Sequence, residues 1–317
     1  MADKPVCLIG GGGFIGSGLR RHLGARRIPA VILSRSPVPD ARENEIHVNL
    51  AEQSWEDIRT RLRRFEYAAI IDLAYASVPT SSFADPARDV AENLGGVLRH
   101  LELCAQLRTE KFVYVSSGGT IYGEGEGRPH KEDDPLFPLS PYGITKLACE
   151  RYVHLYHHIH RLPAVIVRPS NIYGPGQQPF RGQGIVSTAF GAAFEGRPVT
   201  VFGDGSSVRD YLFVDDLCEA IEAIVTQADA GSILNVGSGE GLKVIEILRM
   251  IDQLMHERGG TLELAFEPPR PFDVHYNVLD VSRLHAIAPW RPRTALGNGL
   301  AQTRDWVEQF LTNRSSP

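Results

Sequence analysis

Tyr142 and Lys146 stand four residues apart in Tyr142-Gly-Ile-Thr-Lys146. On a helix that spacing puts a phenol and an ammonium on one face. A neighbouring ammonium favours the phenolate, so the pair predicts a tyrosine pKa lowered from about 10 toward neutrality. Such a group can act as general base and general acid toward an alcohol. The same pair also occurs as an ordinary contact on surface helices, so its setting matters. It follows an apolar run, residues 111–115, that ends in Ser116-Ser117-Gly-Gly-Thr120.

The N-terminal end supplies a second chemical signal. The apolar run Val6–Ile9 leads into Gly10-Gly-Gly-Gly13-Phe-Ile-Gly16, and Phe14, Ile15, Leu19 and Leu23 then recur at helical spacing. Strand, glycine turn and helix in that order suit a dinucleotide pyrophosphate. Gly10 allows the tight turn, Gly13 lets backbone N–H groups approach phosphate at the helix N-terminus, and Gly16 allows close helix packing.

These groups need a scaffold. Apolar runs rich in Val and Ile at 6–9, 30–33, 68–73, 112–115 and 164–167 read as strands. Amphipathic patterns at 14–23, 91–107 and 145–159 read as helices between them. The alternation predicts an α/β fold: a Rossmann-type, doubly wound parallel sheet with helices on both faces. After Arg168-Pro169 the texture changes, with Pro175, Pro179, Pro198 and several glycines before residue 205. We expect a dinucleotide-binding domain over residues 1–168, with about 212–236 returning to it. A smaller discontinuous domain over 169–211 and 237–317 would cap the sheet edge where ligands bind.

The 317 residues are 43% hydrophobic and 22% charged, ordinary for a globular enzyme. The net charge of −5 argues against a nucleic-acid partner. Cys7, Cys104, Cys149 and Cys218 are scattered without a C-x-x-C, as in a cytoplasmic protein with reduced thiols. No run approaches membrane-spanning length, and Met1-Ala-Asp-Lys-Pro5 has no signal-peptide character.

Taken together, Gly10–Gly16, Ser116–Gly123, Tyr142–Lys146, Arg168–Gln177 and Val201–Asp216 resemble the extended short-chain dehydrogenase/reductases. The nearest group is the nucleotide-sugar 4-epimerases of the UDP-galactose 4-epimerase type, and the resemblance runs nearly end to end. It implies a bound nicotinamide cofactor, a nucleotide-diphosphate sugar as partner, UDP-linked, and a homodimer packed through helices. Tyr142 matches the family base. Lys146 matches the partner that also holds the nicotinamide ribose. Gly10, Gly13, Phe14, Ile15, Gly16, Leu73, Ala74 and Ser116 match cofactor-binding positions. Asn171 matches a residue that contacts the sugar-nucleotide phosphate. Arg209, in Val-Arg-Asp-Tyr, and Arg270, in Arg-Pro-Phe-Asp, match two arginines on the diphosphate, a role that bidentate pairing suits. A solvated surface charge is the other reading of Arg270.

Three departures from the family pattern stand out. Gly118 occupies the usual place of the catalytic Ser/Thr. A subgroup with Ser/Thr-Gly-Gly carries the hydroxyl one place earlier, which points to Ser117, with Thr120 and Ser116 as the other hydroxyls in reach. At the end of the second strand, Ser34-Arg35 replaces the Asp of NAD-binding members. There a guanidinium either meets the 2′-phosphate of NADP or stacks on adenine, so NAD and NADP both fit. Asn49-Leu50 falls where the family has Asp-Leu at the adenine. Finally, Asp72 stands where His is frequent and reads as a hydrogen-bonded strand-end residue.

The resemblance thus implies 4-epimerisation through a transient 4-keto sugar. An NADPH-dependent reductase of a nucleotide 4-keto-6-deoxysugar, favoured by Ser34-Arg35, is the alternative. A non-catalytic dinucleotide sensor is the alternative from another class, and an intact Tyr/Lys pair speaks against it. The histidines at 154, 157, 158 and 160 read as a polar helix face rather than a metal site, and Glu132-Asp-Asp134 as a solvated loop beside the site.

Overall fold

The computed structural model describes residues 4–35, 38, 41–270 and 272–315. Seven strands form the central sheet: β1 (Val6–Ile9), β2 (Ala30–Ser34), β3 (Glu45–Asn49), β4 (Ala69–Asp72), β5 (Phe112–Val115), β6 (Ala164–Pro169) and β7 (Ile233–Val236). Their order is β7-β6-β5-β4-β1-β2-β3, and every neighbouring pair is parallel. All the strands therefore end on one edge, and connections leave in opposite directions on either side of β1.

Alternation along each strand feeds two cores. Val6 and Leu8 of β1 join one cluster with Leu19 and Leu23 of helix α1 (Phe14–Ala25). Cys7 and Ile9 join the other, with Leu101 of α2 (Gly95–Cys104) and Val153 of α3 (Pro141–His160). Side chains at successive strand positions point to opposite faces, so a fully apolar strand is what a two-sided sheet requires. Helix α5 (Val214–Gln227) packs on the α1 side through Leu217, Ile221 and Ile224.

A third core lies among α4 (Ile185–Phe194), α6 (Val244–His256) and α7 (Leu296–Ser315). Phe190, Ile247, Leu248, Ile251 and Leu300 fill it. Its strands are short: Val199–Phe202 pairs with Leu264–Glu267, and Val208–Arg209 lies between Leu242–Lys243 and Tyr276–Asn277. Tyr211–Phe213 pairs with Asn171–Tyr173.

Three elements differ from the expectations. β3 carries Glu45, His47 and Asn49 and buries only Val48, because it is the sheet's outer strand. The glycine- and proline-broken stretch before residue 205 contains α4, whose ten residues are apolar on nearly all sides and so show no helical stripe. The predicted helix 91–107 is interrupted: a short turn Pro86–Asp89 and a wider π turn, Val90–Leu94, precede α2.

Candidate active site

The glycine turn has the geometry its sequence predicts. Gly10 takes φ +82°, and a Cβ there would lie 2.9 Å from the Ala74 backbone. At Gly16 a Cβ would come within 2.6 Å of Gly11 Cα, so α1 can pack against the turn only with glycine. Gly13 is the N-cap of α1 and no side chain caps the helix, which leaves first-turn amides available to an anion. Phe14 and Ile15 form that first turn. The residues present therefore fit a dinucleotide pyrophosphate.

A cleft of about 550 Å³ opens here, lined by Gly10, Gly13, Ser34, Arg35, Leu50, Leu73 and Ala74 among others. Arg35 is exposed at its rim. Asn49 does not line it; its amide oxygen accepts from Ala51 N at 2.9 Å. Asp72 is a hydrogen-bonded strand end: it accepts from Ala74 N at 3.1 Å and contacts His100 Nδ1 at 2.9 Å. Trp55, Tyr75 and His100 also line the cleft, and the sequence had not singled them out.

Tyr142 begins α3. Ser140 caps the helix by accepting from Gly143 N at 3.1 Å, and Pro141 occupies its first turn. Tyr142 N donates to Ser82 Oγ at 3.1 Å, which fixes the turn from a second side. The phenol hydrogen-bonds with the Ser117 hydroxyl, and Ser117 Oγ also accepts from Thr120 Oγ1 at 3.1 Å. Of the three candidate hydroxyls, Ser117 is thus the one joined to Tyr142. The Ser116 hydroxyl is buried without a partner among the described residues.

The expected lowering of the Tyr142 pKa is corrected here. Burial pushes the phenol up, and the Ser117 hydrogen bond opposes this only in part. Lys146 Nζ sits 5.9 Å from the Tyr142 ring centroid and donates to the Val115 carbonyl at 2.9 Å. Its own pKa is pushed down to about 8 by burial. In this geometry desolvation outweighs the attraction that spacing alone predicts.

A second cleft, of about 570 Å³, lies beyond Ser117 and is lined by Thr120, Asn171, Arg209 and Arg270. The Asn171 amide donates to the Asp210 carbonyl at 3.0 Å. Arg209 is half-buried; the one hydrogen bond of its guanidinium among the described residues runs to the Val208 carbonyl at 2.9 Å. Arg270 is paired with Asp273 through two 2.8 Å bonds and lies over the Phe202 ring, 4.2 Å from its centroid. Arg270 is therefore not simply a solvated charge. Two guanidiniums, one of them paired with Asp273, thus line one cleft.

Glu132 corrects the solvated-loop expectation. It is buried, accepts from Asn235 N at 2.9 Å, and burial raises its pKa; Asp133 stays exposed. Nearby, Tyr122 OH donates to Asn235 at 2.6 Å and accepts from Arg168, which also makes a two-bond pair with Glu150. This network is scaffold behind the site. His157 Nδ1 contacts the Leu162 carbonyl at the end of α3.

Comparison with known proteins follows the same lines. The family model "NAD dependent epimerase/dehydratase family" matches residues 6–237. A UDP-glucose 4-epimerase of Mycolicibacterium smegmatis is 34% identical over 82% of this chain and 80% of its own. Among solved structures, UDP-glucose 4-epimerase of Thermotoga maritima with UDP-glucose superposes with TM-score 0.87 at 30% identity, covering 97% of this chain and 99% of that one. The Thermus thermophilus UDP-glucose 4-epimerase complex with NAD gives TM-score 0.87 at 32% identity, covering 96% and 99%. By its glycine turn, its Tyr/Lys helix and the match over residues 6–237, the chain belongs to the NAD-dependent epimerase/dehydratase family.

Proposed function

We propose that the protein is a nucleotide-sugar 4-epimerase that uses bound NAD and a UDP-linked hexose. The observation that carries this reading is the position of Tyr142. It lies between the dinucleotide cleft, reached through Tyr75 and Lys146, and the two-arginine cleft, reached through Ser117 and Thr120. The relatives known as UDP-glucose 4-epimerases, one solved with NAD and one with UDP-glucose, support the cofactor and substrate.

In this reading Arg209, Arg270 and Asn171 hold the diphosphate and fix the sugar against Tyr142. The nicotinamide, when bound, supplies hydride acceptance and return at C4. Tyr142 takes the 4-hydroxyl proton and gives it back after the sugar has turned. Ser117 hydrogen-bonds the reacting oxygen and the Tyr142 phenol together. Lys146 supplies the positive charge that favours the phenolate, and also holds the nicotinamide ribose. The second lobe excludes water and retains the keto sugar.

Residues 1–168 with 212–236 form the cofactor unit, and 169–211 with 237–317 the sugar-nucleotide unit. That division is supported by β7 and α5, which join the central sheet and its α1 face. We also propose a homodimer. Ile144, Tyr152, Leu155 and Ile159 form an exposed apolar stripe along α3, 37–60% accessible, as a helix-to-helix interface needs. A cytoplasmic location agrees with four buried, unpaired cysteines. Among the described residues no helix is long and apolar enough to cross a membrane.

The decisive assay is incubation of the purified protein with UDP-glucose and no added reductant, reading UDP-galactose by proton NMR. Inversion at C4 without net cofactor turnover is the expected result. Failure to invert any UDP-hexose, with stoichiometric NADPH consumption on a 4-keto sugar, would replace the epimerase with a reductase.

A further inference from the structure

Tyr75 follows β4 in Ile71-Asp-Leu-Ala-Tyr-Ala76 and meets α3 at Tyr142, Thr145 and Lys146. Its ring stands edge-on to Tyr142, with centroids 4.9 Å apart at 67°. Its hydroxyl lies 3.4 Å from the Tyr142 carbonyl and hydrogen-bonds with Thr145. Lys146 Nζ sits 4.1 Å from the Tyr75 ring centroid, nearer than to Tyr114 at 5.2 Å or Tyr142 at 5.9 Å.

The other groups around Lys146 are already engaged. Asp72 contacts His100 and accepts from Ala74 N. Asp89 accepts from Thr145 at 2.5 Å and also from Ser77 and Asn93. Glu150 pairs with Arg168, and the Cys149 thiol is held neutral by burial. The ammonium keeps the Val115 carbonyl and the ring faces. A π face attracts a cation most strongly when the cation is desolvated.

We propose that Tyr75 is a positioning residue whose ring face keeps Lys146 charged and whose edge sets the Tyr142 phenol. The proposal rests on the reading of Tyr142 as the base. Its sign is definite. A cation–π contact favours the ammonium, so weakening it lets Lys146 lose its proton at lower pH. With less positive charge nearby, the phenolate forms only at higher pH. Because burial already sets the phenol above the ammonium, the two titrations move further apart, and the fraction of molecules that hold ammonium and phenolate together falls.

The test compares Tyr75→Phe, Tyr75→Met and a shape-preserving series with one, two or three ring fluorines on phenylalanine at position 75. The first readout is the pH profile of kcat. The second is the pH-dependent rate of amine acylation at Lys146, read by peptide mass spectrometry. Tyr75→Phe should keep the wild-type kcat and Lys146 acylation midpoint. Tyr75→Met should lower that midpoint by about half to one pH unit and reduce kcat roughly three- to tenfold at pH values between the two titrations. Fluorination should shift the Lys146 acylation midpoint stepwise downward. A flat fluorine series, or a loss of kcat in Tyr75→Met with an unmoved Lys146 acylation midpoint, overturns the proposal. Should Tyr75→Met not fold, the fluorine series decides alone. Wild-type turnover by Tyr142→Phe would instead sink the assignment of the base, so the two failures are distinct.

Discussion

Arg209 and Asp210 are adjacent in sequence and serve opposite sides of the backbone. The Asp210 carboxylate accepts from Ser238 N at 2.8 Å, Ser238 Oγ at 2.7 Å and Gly239 N at 3.1 Å, so it is fully used inside the protein. Arg209 faces the second cleft, and among the described residues no carboxylate forms an ion pair with it. Burial lowers its pKa, which is the mark of a cation held without full compensation.

Arg209→Ala should therefore weaken UDP binding by about 2–3 kcal/mol, roughly 30- to 150-fold. Several UDP-sugars should lose affinity by similar factors, and cofactor content should stay constant. Calorimetric titration of UDP alone into both proteins measures this. Equal affinities would remove Arg209 from the diphosphate site.

Ser117→Ala should reduce kcat more than Thr120→Ala or Ser116→Ala, because only Ser117 is hydrogen-bonded to the Tyr142 phenol. Tyr142→Phe should cost at least about a hundredfold, the scale of general acid–base catalysis. Steady-state turnover of UDP-glucose ranks the four variants. A crippled Thr120→Ala beside a healthy Ser117→Ala would reassign the hydroxyl.

Arg35 lies at the rim of the dinucleotide cleft, next to Ser34. If it meets only adenine, Arg35→Ala should change NAD and NADP affinity by similar small factors. A 2′-phosphate contact would show as a roughly tenfold to hundredfold loss confined to NADP. Ser34→Asp should shift preference toward NAD by repelling a 2′-phosphate. Fluorescence titration of both cofactors separates the cases.

Glu150 is the carboxylate partner of a guanidinium that is 1% accessible. Glu150→Ala would strand Arg168 as a buried cation, at a cost of about 3–5 kcal/mol. Thermal unfolding should show a drop of several degrees. An unchanged midpoint would mean that water or a neighbour replaces the carboxylate.

The readable parts of the chain were those fixed locally. The glycine turn, the Val- and Ile-rich strands and the Tyr142/Lys146 spacing each state their own geometry over a few residues. β3 was hidden because an outer strand can be polar, and α4 because a helix covered on nearly all sides has no stripe to read. The Tyr142 pKa and the burial of Glu132 depend on what the rest of the chain places over them. Tyr75, Ser82 and Asp89 reach α3 from distant segments, so neither period nor motif marked them.

The late arrival of β7 has a consequence for dissection of the molecule. The sheet's seventh strand is synthesised only after the chain has passed through residues 169–211, so the two lobes are braided rather than strung in series. Cutting after residue 168 would strip β6, every residue of which is buried, of its outer neighbour and leave a flat apolar edge ready to pair with another chain. Neither lobe can be excised as a portable module. In the proposed reading, the cover over the reacting carbon would be woven into the sheet beneath it.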